Sequence, residues 1–134
     1  MKKFIFFMVL TLGVAMSAGE VIKLKFGKIQ TLVDMEESEA SKEFIAMLPL
    51  SLKFSDYANK EKIANLPTPL TAKGSQYYTP QIGDLFYFSP WGNIGIFYDK
   101  QLPNSALVPL GKLRDKIKEL SIIENDFEIT FTKD

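Results

Sequence analysis

The residues best suited to chemistry lie in one aromatic stretch, FYFSPWGNIGIFYD, at positions 86–99. Six of its fourteen residues are aromatic, and a Ser-Pro-Trp-Gly-Asn link divides it. A Trp or Tyr ring can pack on a ligand while its N–H or O–H group makes a hydrogen bond. The stretch therefore encodes either a hydrophobic core that passes through a tight turn or a ligand platform around Trp91, the only Trp.

Seven side chains in this stretch and in the loop before it are candidate ligand contacts: Trp91, Tyr98, Tyr87, Asn93, Tyr77, Tyr78 and Gln76. Each also has a purely structural alternative. Trp91 could cap the barrel end and pack on its own hairpin, and Asn93 could fix the turn by bonding nearby backbone. Tyr87 and Tyr98 could pair across the hairpin, which stabilises a sheet without any ligand. Residues 76–78 could form either a flexible lid or ordinary loop cover.

The aromatic side chains should divide into two groups. Phe86, Phe88 and Phe97 are expected to supply one apolar face. The rings with polar groups, at positions 87, 91 and 98, suit the boundary between the core and water. The Glu61-Lys62 pair is expected to be a solvated edge that can form ion pairs.

Several kinds of catalytic site are excluded because the chain has no His and no Cys. Ser-His and Cys-His nucleophile pairs cannot form, and the usual zinc, copper and haem ligands are missing. The single Arg, Arg114, cannot build an arginine cluster for phosphate, and neither common glycine-rich phosphate loop is present. We therefore expect no metal and no cofactor, and assign no catalytic residue.

The charge balance and the N-terminus indicate the compartment. Basic and acidic residues are equal in number, 16 of each, so the chain lacks the basic surface expected of a nucleic-acid binder. A Lys-Lys start, an uncharged apolar run from Phe4 to Met16 and small residues after it are typical of a secretory signal peptide. The sequence thus predicts a cleaved signal peptide at 1–19, one domain at 20–134, a periplasmic or secreted location and no membrane association after cleavage.

Alternating apolar residues in some segments, and aromatic and β-branched residues in others, predict many short strands, at 21–26, 29–35, 50–54, 61–66, 85–89, 94–98, 107–110 and 127–132. Two short helices are expected, one at about 39–47 with Ser38 as N-cap and one at 112–120. The proline-containing segment 67–82 should be a long loop. Gly95, inside a strand, suggests a bulge or a close backbone approach. This pattern is typical of a mainly β barrel or sandwich.

Three segments in order, MLPLSLKFSDYANKEKIANLP, YTPQIGDLFYFSPWGNIGIFY and LVPLGKL, resemble the small bacterial cyclophilin-like proteins. The resemblance spans roughly residues 22–120, and residues 110–113 are also similar to a Phe-Gly-Lys-Val stretch of true cyclophilins. It implies a closed antiparallel β-barrel of about eight strands with short helices across its ends.

The resemblance implies the fold of true cyclophilins more strongly than it implies their activity. Those enzymes isomerise the peptide bond before proline, with a catalytic Arg and a pocket lined by Phe, Gln, Trp and His. Here Arg114 follows the Gly-Lys stretch, and no His exists. The leading interpretation is a non-catalytic binding module for a small apolar ligand or a peptide segment. A divergent prolyl isomerase that helps folding and a structural or assembly protein remain as alternatives, and the oligomeric state is not predicted.

Overall fold

The computed structural model describes residues 19–74 and 77–134, which form a closed antiparallel barrel of eight strands. The strands are β1 (Val21–Phe26), β2 (Ile29–Met35), β3 (Leu50–Tyr57), β4 (Glu61–Asn65), β5 (Asp84–Phe88), β6 (Asn93–Phe97), β7 (Leu107–Leu113) and β8 (Phe127–Lys133). Around the barrel their order is β1-β2-β7-β5-β6-β4-β3-β8. The predicted barrel is confirmed. The predicted signal peptide falls, apart from Gly19, outside the described residues.

Two short helices complete the fold, α1 (Glu39–Ile45) and α2 (Ile117–Ser121). Ser38 caps α1 as predicted, because its hydroxyl accepts a hydrogen bond from the backbone N–H of Ser41 at 3.2 Å. Phe44 of α1 packs edge-on against Phe131 at 5.3 Å. Within the described residues, no helix has the length and apolar character that a membrane span requires.

The prediction of one helix over 112–120 is wrong in its first half. Lys112 and Leu113 instead extend β7, where they pair with Asp34 and Val33 of β2. The apolar residues whose spacing suggested one helix are buried from two different elements. Leu113 is buried as the last residue of β7, and Leu120 is buried as part of α2. Tertiary pairing with β2 thus overrides a local helical pattern.

The barrel interior is filled by side chains that alternate along each strand. Ile94 and Ile96 of β6 point inward, as do Leu85 and Tyr87 of β5. The predicted boundary position of Tyr87 is wrong, because its ring is 1% exposed and belongs to this interior core. Its hydroxyl donates to the carbonyl of Leu70 at 3.4 Å, which satisfies the one polar group that the ring brings inside.

A lysine also lies inside the barrel. Lys62 is 1% exposed, so the prediction of a solvated Glu61-Lys62 edge is wrong. Its Nζ lies 3.1 Å from Asp56 Oδ1 and donates to the carbonyl of Ile123. The ammonium also lies 5.4 Å from the centre of the Tyr98 ring. A buried charge needs such partners, and these join the β3–β4 hairpin to the segment after α2.

Candidate functional site

The aromatic stretch folds into the β5–β6 hairpin, whose alternation sends side chains to both faces of the barrel wall. The link between the strands is Ser89–Gly92, with Phe88 paired to Asn93 across it. Gly92 has a φ of +69°, a left-handed conformation that favours glycine. Since Tyr87 and Ile94 point inward, Phe86, Phe88, Asn93 and Phe97 face outward. The expected common face of the three Phe residues is found, but on the outside of the barrel.

The outward face is buried because the loop between β6 and β7 covers it. Asn104 of this loop donates its backbone N–H to the carbonyl of Tyr78, and its side-chain Oδ1 accepts from the N–H of Ala106 at 2.8 Å. Phe86 and Phe97 stack beneath with ring centres 4.2 Å apart and planes 14° from parallel. Together with Leu107 they form a second hydrophobic cluster, separate from the barrel interior.

Between this loop and the barrel wall lies a cavity of about 420 Å³, which we call the outer cavity. Five aromatic side chains line it: Tyr57, Phe86, Phe88, Trp91 and Phe97. Four polar side chains also line it: Glu61, Asn93, Gln101 and Asn104. The volume falls within the range typical of sites for small molecules, about 300–1,000 Å³, and a mainly apolar wall with a few polar groups is usual there.

Trp91 stands at the rim of the outer cavity and is 57% exposed. Two rings hold it at right angles, Tyr57 at 5.6 Å and Phe88 at 5.3 Å between ring centres. These edge-to-face contacts fix the indole while leaving much of its surface open to solvent. Trp91 therefore packs on its own hairpin and also lines a cavity, so the two roles predicted as alternatives are compatible.

Asn93 is the polar residue that stands out. It is 3% exposed, and its Oδ1 atom is buried without a hydrogen-bond partner among the described residues. Such an unpaired buried group costs about 1–3 kcal/mol. The predicted role in fixing the turn does not account for this oxygen. An amide on the wall of a cavity with an unused acceptor is a group that a ligand could satisfy.

Glu61 provides a carboxyl group in the outer cavity. It is paired across the β3–β4 hairpin with Tyr57, so the two side chains lie on the same face. Burial raises the pKa of Glu61 above its usual value, and the nearby Asp56 charge adds to this, although a hydrogen bond from Gln101 acts in the opposite direction. The ionised carboxylate is therefore less well solvated here than it would be in water.

The other candidate residues lie elsewhere. Tyr98 does not line the outer cavity; its hydroxyl donates to Asp56, and burial together with this hydrogen bond raises its pKa. Strand register opposes Tyr87 to Ile94, so the predicted Tyr87–Tyr98 pair does not form. Tyr77, which is 81% exposed, and Tyr78 border a smaller cavity of about 240 Å³. Gln76 lies outside the described residues, and ligand binding by these residues stays a prediction.

Several residues of the outer cavity were missed from sequence, above all Phe86, Phe97, Glu61 and Gln101. One signal was available. Every residue of β6, NIGIF, is apolar or small except Asn93, and a strand that is apolar on both faces is usually covered on both faces. That pattern predicts a covering segment outside the barrel, and the loop at 99–106 is the segment that follows.

Arg114, the only Arg of the chain and so the only possible counterpart of the catalytic Arg of true cyclophilins, does not line the outer cavity. Its Nε and Nη2 atoms donate to the carboxylate of Asp34 at 3.0 and 2.9 Å, a bidentate pair. This hydrogen bond holds the pKa of Asp34 below its usual value, although partial burial opposes the shift. This ion pair engages the Arg114 guanidinium on the outside of the barrel, beside β2 and β7.

Comparison with known proteins agrees with the fold and with the sequence resemblance. The solution structure of the hypothetical protein AF2241 from Archaeoglobus fulgidus superposes with a TM-score of 0.67 and 16% identity, over 87% of this chain and 95% of that one. The structure of McbB in complex with tryptophan gives a TM-score of 0.54 and 12% identity, over 84% of this chain and 44% of that one. Identities this low show a shared fold alone.

No match was found among curated proteins. A family model described as the Cyclophilin-like family matches residues 24–132, which includes every strand of the barrel in whole or in part. This match covers most of the chain and agrees with the family that the ordered segments suggested. The chain therefore belongs to the Cyclophilin-like family.

Proposed function

We propose that this chain is an exported, non-catalytic binding module that holds a small, largely apolar molecule or a peptide segment in the outer cavity. The observation that carries the proposal is Asn93, a 3% exposed amide with an unpartnered oxygen on the cavity wall. An N–H or O–H group of a ligand could satisfy this amide, since the terminal torsion of Asn occupies broad wells and can turn either end toward the cavity.

The aromatic wall supports the same proposal. Five rings would pack on the apolar part of a ligand, and Trp91 and Tyr57 are exposed enough to be covered by it. Two rings, each nearly perpendicular to the indole, hold the exposed Trp91 in place at the rim. Binding would remove this apolar surface from water, which contributes roughly 25 cal/mol per Å².

A thermal-shift screen of small molecules and proline-containing peptides tests the proposal. A compound that binds only the folded chain should raise the melting temperature, because binding stabilises the folded state by mass action. Trp91→Ala should abolish the shift. Tyr77→Ala removes an even more exposed aromatic ring, 81% against 57% for Trp91, which lies outside the outer cavity, and should leave the shift intact. If no compound or peptide raises the melting temperature, or if both variants lose the shift equally, the proposal is wrong.

No observation favours a prolyl isomerase. The sole guanidinium is paired with Asp34 and does not line the cavity. A protease-coupled assay on a proline tetrapeptide decides this alternative, and we expect a rate no higher than the uncatalysed one. The assembly alternative depended on an exposed sheet edge, and a closed barrel removes that edge. Light scattering should accordingly show no polymer.

A further inference from the structure

The charge of the outer cavity restricts the kind of ligand it can hold, and this inference rests on the function proposed above. Among the described residues that line the cavity, Glu61 is the only one with a charged side chain. The remaining groups are aromatic rings, amides and apolar side chains. A cavity of this composition offers acceptors and ring faces to a ligand but no cation.

The two lysines next to Glu61 in the sequence, Lys60 and Lys62, are engaged elsewhere. Lys62, the next residue of β4, points into the barrel and bonds Asp56 and the carbonyl of Ile123. Lys60 donates to the carbonyl of Lys100 at 3.2 Å. No salt bridge between described residues includes Glu61. The carboxylate is thus partly desolvated without a cationic partner, a situation that a positively charged ligand would relieve.

Two of the aromatic rings that line the outer cavity, Tyr57 and Trp91, are candidates to receive a cation. Tyr57 stands directly opposite Glu61 on the same face of the sheet. Trp91 meets Tyr57 at 84° and Phe88 at 86°, so the indole plane is nearly perpendicular to each of these two rings. Aromatic faces attract an ammonium group through their quadrupole, and Trp does so most strongly.

We infer that the ligand of the outer cavity is a small organic cation, an ammonium or alkylated ammonium group attached to an apolar body. The ammonium group lies between the Glu61 carboxylate and the rings of Tyr57 and Trp91. The apolar body lies over the stacked Phe86–Phe97 pair. Asn93, with its unused acceptor, takes an N–H donor of the same ligand.

Calorimetry with three soluble probes of similar shape tests whether the outer cavity prefers a positively charged ligand. The probes are phenethylammonium, 2-phenylethanol and phenylacetate. They share a phenyl ring and differ in carrying a positive, a neutral or a negative group. We expect phenethylammonium to bind at millimolar or lower concentration, about tenfold more tightly than the alcohol, with phenylacetate the weakest.

Glu61→Gln should lower the affinity for phenethylammonium about tenfold and leave that for 2-phenylethanol unchanged, because only the charge is removed. Glu119→Gln, which neutralises a half-buried acid away from the outer cavity, should change neither affinity. Circular dichroism of each variant verifies folding.

Two results would overturn the inference in different ways. If the alcohol binds as tightly as the ammonium probe, or Glu61→Gln has no effect, the ligand is not selected by charge, while the outer cavity remains a binding site. If none of the three probes binds the wild-type chain, the inference fails outright. If the thermal-shift screen of small molecules and peptides also finds no ligand, the proposed function is wrong as well.

Discussion

Gly95→Ala is the substitution that most directly tests how the outer cavity is built. A Cβ atom at position 95 would lie 2.4 Å from Cζ and 2.5 Å from Cε1 of Phe86, and 3.0 Å from the carbonyl oxygen of Lys62. Carbon atoms pack at about 3.5–4.0 Å, so the Phe86 ring would have to move by about 1 Å. Phe97, stacked on it at 4.2 Å, restricts that movement.

The expected cost follows from these distances. Overpacking of this kind costs about 1–3 kcal/mol. Replacing Gly by Ala also restricts the unfolded chain, which offsets the cost by about 0.4–1 kcal/mol. Urea unfolding followed by circular dichroism should therefore show Gly95→Ala to be less stable by about 1–2 kcal/mol.

A double-mutant cycle with Phe86→Leu identifies the cause. Leu lacks the two ring atoms that meet the new Cβ, so Gly95→Ala should cost little in the Phe86→Leu background. We expect a coupling of about 1 kcal/mol or more between the two positions. If the two effects are additive, or if Gly95→Ala alone does not destabilise the chain, the close approach of Phe86 to the β6 backbone is not what requires glycine.

Three further predictions concern polar side chains. Asn93→Leu should leave the free energy of unfolding unchanged or raise it by about 1 kcal/mol, since an unpaired buried acceptor is removed, while ligand binding is lost; a large destabilisation would contradict this. Asp56→Ala should cost about 3 kcal/mol because it leaves the buried Lys62 ammonium without its carboxylate. Lys62→Met should cost less, because Asp56 is 27% exposed and water can solvate it; equal costs in urea unfolding would refute the asymmetry. The pKa of Asp34 is lowered by its bond to Arg114, and that of Asp56, despite burial, by Tyr98 and Lys62. Both carboxylates therefore stabilise the fold above their ordinary pKa of 3.8, and this contribution is lost as the pH falls through the lower folded values. Asp34→Asn and Asp56→Asn should flatten the acid limb of the stability curve, and superimposable curves would contradict the assignment.

β1, β3 and β8 were predictable because apolar and polar residues alternate along them, and β5 and β6 because they are rich in aromatic and β-branched residues. β1 and β2 have the predicted bounds, and β8 differs by one residue. Gly95 was correctly expected to mark a close backbone approach, while the irregular register lies between Leu85 and Phe86 of β5. The hairpin link at 89–92 also followed from its Pro and Gly residues.

The orientation of β5 and β6 could not be derived in the same way. Alternation assigns residues to two faces, but it identifies the inner face only when the other face is polar. Here both faces are apolar, so the sequence pattern fits equally well whether Tyr87 or Phe86 points into the barrel. The outer cavity depends on a loop distant in sequence from Tyr57 and Glu61, and only the folded barrel brings these residues together.

Lys62 illustrates a second limit. A Glu-Lys pair at the start of a strand is normally solvated, and nothing nearby in sequence indicates otherwise. Its partners, Asp56 and Ile123, come from the preceding strand and from the segment after α2. Asp56 meets Lys62 within the local hairpin, but Ile123 lies 61 residues away in the sequence, so that contact forms only when the barrel closes.

The indole N–H resonance of Trp91 gives the most direct test of the central claim, that the outer cavity is a ligand-binding site. The chain has one Trp, so a nitrogen-15 correlation spectrum contains a single indole peak. Each compound that stabilises the chain in the thermal screen should shift this peak saturably, with a dissociation constant equal to that measured by calorimetry. A peak that stays unmoved while such compounds stabilise the chain would place their binding site elsewhere and contradict the account.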